Sequence, residues 1–282
     1  MTLKEQIRNS LLNFVCGDAF GLPYEGCMKG VPFENWSGYG TYNQPPGTYS
    51  DDAALLLSSI SSTFSLDLTI KGNDRILISK AKTSLKMGFL TGLYSVDNIL
   101  FDIGMATKRA IDNDFKVEGI QYGNGGLVRI IPYMLLFSFG KLPGFIMNDL
   151  LSLTHTADEF YLKSLGFYTR LFKLSIYDGE RLIKLKELSE EWQKLKEDKK
   201  FNELSNTDGT VMNAVDICIN GCLLNKTFED IIRLGGDTDT NAALYGFVKF
   251  DKSLPFDYKK ELRNVEFVEK TIDLFIDKLF SR

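Results

Sequence analysis

Thr2-Leu3-Lys4-Glu5-Gln6-Ile7-Arg8-Asn9-Ser10-Leu11-Leu12-Asn13-Phe14-Val15 opens the chain with apolar side chains at positions 3, 7, 11, 14 and 15. Steps of three and four residues put them on one face of an α-helix. Thr2 with Glu5 three residues on is a capping box that starts it. The same period returns at Tyr161, Leu165, Tyr168 and Phe172, behind a second Thr-x-x-Glu from Thr156 to Glu159. It returns again at Val265, Val268, Ile272, Phe275 and Leu279 near the end of the chain. Alternation with the period of a β-strand runs for no more than a few residues. The pattern predicts an all-α fold with its function carried on loops. The 282 residues show no linker, low-complexity tract or repeat, so one compact multi-helix domain over residues 1–282 is expected.

Composition removes several classes of function. Lys and Arg number 33 against 37 Asp and Glu, a net charge of −4, which is not the basic footprint of common nucleic-acid binders. The Lys-rich stretch Lys194–Lys200 also holds Glu197 and Asp198 and reads as a solvated helix face. No signal-type apolar block follows the charged start. The longest charge-free apolar run, Ile130 to Gly140, is interrupted by Pro132 and too short for a bilayer. Cys16, Cys27, Cys218 and Cys222 lack Cys-x-x-Cys spacing, so a reduced, cytoplasmic protein is expected, with no membrane or direct nucleic-acid partner. His155 is the one histidine and no Gly-x-Ser-x-Gly elbow exists. Chemistry on this chain therefore falls to carboxylates.

Three less regular segments stand out: residues 21–47, 122–126 and 234–240. The first leads into Ser50-Asp51-Asp52 ahead of the apolar run from Ala53 to Leu57. The last carries Gly235-Gly236-Asp237-Thr238-Asp239-Thr240 ahead of Asn241-Ala242-Ala243-Leu244. Each sets hydroxyls and two carboxylates at the mouth of a helix. Helix capping explains either cluster taken singly, because Ser, Thr and Asp are favoured there. Two carboxylates exceed what one cap needs, however, and the paired glycines before Asp237 suit a close approach of the backbone. The EF-hand reading of Asp-x-Asp fails, since Ala242 and Val248 stand where that loop needs glycine and glutamate. Taken together, Asp51, Asp52, Asp237 and Asp239 balance two divalent cations. Their hard oxygen donors suit Mg²⁺ or Mn²⁺. Two such ions roughly 3.5–4 Å apart would grip substrate hydroxyls and activate a water.

The order of motifs resembles the ADP-ribosylglycohydrolase family over nearly the whole chain. The matching stretches are Gly17-Asp18-Ala19-Phe20-Gly21-Leu22-Pro23-Tyr24-Glu25, Ser50-Asp51-Asp52 and Asp102-Ile103-Gly104. They continue with Gly123-Asn124-Gly125-Gly126-Leu127-Val128-Arg129, Thr154-His155 and Leu234-Gly235-Gly236-Asp237-Thr238-Asp239-Thr240. The resemblance implies an all-α domain with a binuclear magnesium site (Mn²⁺ as the alternative) at the base of an ADP-ribose cleft. Its ligands would be Ser50, Asp51, Asp52, Asp237, Asp239 and Thr240. Glu25 and Asp102 would join Asp239 at the chemistry, Glu25 as gate and helper of the attacking water, Asp102 near the distal ribose. Gly123, Asn124, Gly125 and Gly126 would offer backbone N–H groups to the diphosphate, and His155, ahead of the Thr156 box, would bind rather than catalyse.

The departures are Ser50 where threonine is usual, Val128 where methionine is usual, and a partial match after Lys249. None removes a ligand. The expected activity is hydrolysis of the N- or O-glycosidic bond between ADP-ribose and an acceptor. The expected partner is an ADP-ribosylated protein, arginine favoured, or a small-molecule ADP-ribose conjugate, acted on by a monomer. A non-catalytic ADP-ribose-binding or structural relative and a metal-dependent phosphohydrolase are the competing readings.

Overall fold

The structure, a computed structural model, describes residues 1–67, 72–177, 179–205 and 208–281. Fourteen α-helices follow one another among the described residues, with no β-strand between them. They are α1 (Leu3–Gly21), α2 (Asp51–Ser62), α3 (Asn73–Thr91), α4 (Met105–Asp112), α5 (Gly125–Ser138), α6 (Phe145–Leu151) and α7 (Glu159–Ile176). The chain continues through α8 (Arg181–Lys196), α9 (Lys199–Ser205), α10 (Val211–Leu223), α11 (Phe228–Ile232), α12 (Thr238–Val248), α13 (Tyr258–Glu261) and α14 (Val265–Phe280). The all-α expectation holds. The helices group into two compact units, Met1–Tyr49 with Glu159–Arg263, and Ser50–Asp158 with Asn264–Arg282.

The first unit is built on α1 against α12. The capping box of Thr2 and Glu5 starts α1, with the Glu5 N–H donating to Thr2 Oγ1 at 3.2 Å. Its apolar stripe is buried from Ile7 onward, but so is everything else from Ser10 to Gly21. α1 is thus a central helix with a polar entrance. Small residues let the two backbones meet. A side chain on Gly21 would come within 2.5 Å of the Asp239 Cα, and one on Gly17 or Gly246 would strike the facing helix backbone. The Thr238 hydroxyl, donating to the Gly21 carbonyl at 2.8 Å, pins the start of α12 to the end of α1. α10 and α11 also flank α12, and α7 and α8 lie against α10. There Phe172 stacks on Phe247 with ring centres 4.5 Å apart, and the Tyr168 hydroxyl donates to the Leu244 carbonyl at 2.8 Å.

In the second unit α2 packs on α3, α5 and α14, and α6 on α5. α14 buries Val268, Ile272, Phe275 and Leu279 as its periodicity demands. α5 keeps Pro132 inside a helix whose residues from Gly126 to Leu136 are all buried.

Two expectations are corrected. Thr156 does not open a helix: α7 begins at Glu159, and the Thr156 hydroxyl instead accepts the Gln121 N–H at 2.8 Å. Lys194–Lys200 is not one helix face either. It spans the end of α8 and the start of α9, and Lys196 turns inward to pair with Asp216 at 3.0 Å.

Candidate active site

In the first unit the site residues sit where a loop is stitched to the entrance of α12. After Gly21 a short 3-10 turn, Leu22–Tyr24, delivers Glu25, whose carbonyl accepts the Thr41 hydroxyl at 2.5 Å. The Gly26 N–H donates to the Gly236 carbonyl at 2.8 Å, the Gly236 N–H returns to the Cys27 carbonyl at 3.1 Å, and the Gly30 N–H reaches the Arg233 carbonyl at 2.8 Å. These three bonds hold the Glu25 loop against the second aspartate cluster. One carboxylate oxygen of Glu25 accordingly lies within 4.8 Å of one from Asp239.

Gly235 and Gly236 both adopt the left-handed backbone, at φ +76° and +71°, where a side chain is costly. Asp237 occupies the N-cap of α12 without a side-chain cap bond. Its N–H donates to the Asp208 carboxylate at 3.1 Å, and a side chain on Gly236 would run into that same carboxylate. Asp208 is a residue that sequence reasoning passed over: its Asp-Gly pair signals a turn and nothing of this long-range bond. Asp239 and Thr240 follow in the first turn of α12, both buried.

In the second unit Ser50 is the N-cap of α2, its Oγ accepting the Asp52 N–H at 3.2 Å. Asp51 and Asp52 fill the first turn and are buried. The capping reading of this cluster is therefore realised through Ser50. The Asp51 carboxylate accepts the Gly104 N–H at 3.2 Å, which brings the Asp102-Ile103-Gly104 loop to the aspartates of α2. Asp102 is half-buried in a left-handed conformation, φ +53°.

The same unit gathers the remaining candidates around the start of α5. Asn124 is the N-cap, Gly125 and Gly126 form the first turn, and Gly123 precedes them. His155 is buried, and a side chain added to Gly125 would be 3.9 Å from its ring. Arg129, fully buried, donates to the Leu150 and Leu151 carbonyls at 2.6 and 3.1 Å, satisfying the last carbonyls of α6. Its Nε donates to Thr154 Oγ1 at 3.1 Å, and that hydroxyl lies 2.8 Å from His155 Nδ1. Burial, then the Arg129 charge, pushes the His155 pKa down to about 3. The ring is therefore held neutral chiefly by desolvation.

A sequence model of the ADP-ribosylglycohydrolase family matches residues 1–278. The chain belongs to that family. Its members are hydrolases that act on ADP-ribosylated substrates and generally use divalent metals. Among solved structures, a chain of an "ADP-ribosylglycohydrolase-related protein complex" shares the fold, with a TM-score of 0.70 at 19% identity over 99% of both chains. No curated protein matches by sequence. No helix among the described residues is long and apolar enough to cross a membrane.

Two of the ADP-ribosylglycohydrolase motifs thus share a design, with Asp51 and Asp52 buried in the first turn of α2 and Asp239 buried in the first turn of α12. Buried carboxylates are costly unless hydrogen-bonded, paired or bound to a metal. In the second unit Ser50, Asp51 and Asp52 are buried, and in the first Asp239 and Thr240 are buried beside half-buried Asp237; each set by itself offers hard oxygen donors. That donor chemistry fits Mg²⁺ or Mn²⁺.

Proposed function

We propose that this ADP-ribosylglycohydrolase cleaves the glycosidic bond between ADP-ribose and a modified protein side chain, arginine favoured, and releases intact ADP-ribose. Small-molecule ADP-ribose conjugates are the further substrates. The observation that carries this reading is the placement of the Glu25 carboxylate within 4.8 Å of that of Asp239, in the first turn of α12. Two Mg²⁺ ions, or Mn²⁺, would be held by Ser50, Asp51 and Asp52 from one unit and Asp237, Asp239 and Thr240 from the other. They would supply charge stabilisation and an acidified water.

The chain's own groups divide the rest of the work. Glu25 takes the proton of the attacking water, a role that needs a carboxylate close to the reacting carbon. The aspartates favour the oxocarbenium-like charge that grows at the ribose carbon as the bond breaks. Gly125 and Gly126 present first-turn N–H groups to the diphosphate, and His155 binds beside them. Asp102 approaches the distal ribose. Residues 1–282 act as one functional domain, which the family match across both units supports. A cytoplasmic monomer without nucleic-acid or membrane partners completes the proposal.

The test is product analysis by mass spectrometry on ADP-ribosylarginine and an ADP-ribosylated serine peptide, with Mg²⁺ and with chelator. Intact ADP-ribose, formed only with metal, is expected. Glu25→Gln should slow its release by at least about 100-fold while ADP-ribose still binds. AMP or phosphate as product would move the chain to the phosphohydrolases. Tight ADP-ribose binding without release would make it a binding protein.

A further inference from the structure

The first unit holds a concave feature that uses none of these site residues. It is a cavity of about 730 Å³, in the range of a small-ligand site. Three separate segments build it: the loop through Phe33 and Trp36, the start of α11 at Phe228, and the loop from Ser253 to Asp257. Phe20 of α1 forms the floor, with ring centres 4.5 Å from Trp36, 5.4 Å from Phe228 and 6.1 Å from Phe33. The Trp36 indole N–H donates to the Phe256 carbonyl at 3.4 Å, joining two walls, while the Phe256 ring stands 88% exposed at the rim.

Charge is unevenly spread around these rings. Glu229, Asp257 and Glu261 line the cavity, against a single lysine. That lysine, Lys249, is engaged: its ammonium lies 5.3 Å from the Phe228 ring centre and donates to the Ser253 carbonyl at 3.2 Å. Glu229 and Glu261 pair with Arg233 and Lys260 in solvent-exposed contacts of 2.6 and 3.1 Å, which a ligand cation can exchange at little cost. Aromatic faces with carboxylates at the rim are the chemistry that receives an ammonium or guanidinium group.

We propose that this cavity docks a lysine- or arginine-bearing segment of the acceptor protein, the cation lying against Trp36 with Glu229 and Asp257 alongside and Phe228 walling the cavity. The assignment to the acceptor rests on the hydrolase reading; the binding of a basic segment does not.

The chain has two tryptophans, and Trp192 is buried at 1% exposure, so added peptide reaches only Trp36. Intrinsic fluorescence is titrated with a short unmodified poly-arginine peptide and, separately, with poly-glutamate and AMP. A saturable change with poly-arginine alone is expected, weakened about tenfold in a Glu229→Gln/Asp257→Asn double variant and in Phe228→Ala. No saturable change, an equal response to AMP, or undiminished binding by the double variant would overturn the site. In the activity arm, the double variant should raise KM for an ADP-ribosylated basic protein about tenfold and leave kcat and ADP-ribosylarginine turnover unchanged. An unchanged KM with intact peptide binding would overturn the acceptor assignment alone. Absence of turnover on both substrates would sink the hydrolase reading and that assignment, leaving the peptide titration to decide the site.

Discussion

At Gly236 the backbone φ is +71°, and the missing side chain makes room for the Asp208 carboxylate that holds the Asp237 N–H. Gly236→Ala meets both obstacles at once. The left-handed backbone alone costs about 1–2 kcal/mol, and the displaced Asp208 frees the start of α12. A lower melting temperature and at least about a 100-fold loss of turnover are expected, since a shift near 1 Å at a reacting group has that effect. Thermal denaturation and ADP-ribose release on the same preparation check it.

His155 offers a second residue-scale outcome. Folding depresses its pKa to about 3 from the ordinary 6.5, so the unfolded chain takes up a proton that the folded chain refuses. Stability therefore falls as pH drops through the window from 6.5 to 3, by up to about 1.4 kcal/mol per pH unit, and is unaffected above it. Between pH 7 and 5 the native chain should lose about 2 kcal/mol more than His155→Gln does, measured by denaturant titration. His155→Ala should also weaken ADP-ribose binding far more than it lowers the chemical rate. The reverse pattern would remove the binding role.

Among helices, the decisive contact is α1 against α12, because it seats Asp239 and Thr240. Gly21→Ala drives a methyl group into the backbone at Thr238 and Asp239. Overpacking of this kind costs about 1–3 kcal/mol, and here it also moves a proposed ligand. Urea unfolding should show the stability loss, and divalent-ion affinity should fall with it. An equally stable variant with native affinity would deny that this contact positions the site.

Periodicity made α1, α7 and α14 legible, since each buries the face its spacing marks out. It did not reveal that α1 is buried on every side from Ser10 onward, because small and polar residues carry no amphipathic signal. Thr156 shows the other limit. Its spacing to Glu159 fits a capping box, yet a hydrogen bond to Gln121, 35 residues away, claims the hydroxyl. The aspartate clusters and the Gly123–Gly126 turn were visible as ordered motifs. The stitching of Gly26 and Cys27 to Gly236, and the Asp208 contact, depend on long-range pairing that no local pattern encodes.

For the molecule as a whole, the account requires both aspartate sets to serve the same cations. A net charge of −4 and a family match over residues 1–278 are compatible with a metal-using enzyme of this class, but neither fixes the ligands. The direct measurement is the stoichiometry of Mn²⁺ bound to the purified, metal-stripped chain, by calorimetry or electron paramagnetic resonance, for the native sequence, Asp51→Ala and Asp239→Ala. Two ions per chain are predicted for the native sequence, with affinity falling by about 100-fold or more in each variant, although the substitutions lie in different units. No bound Mn²⁺, or a variant that keeps both ions at native affinity, would contradict it.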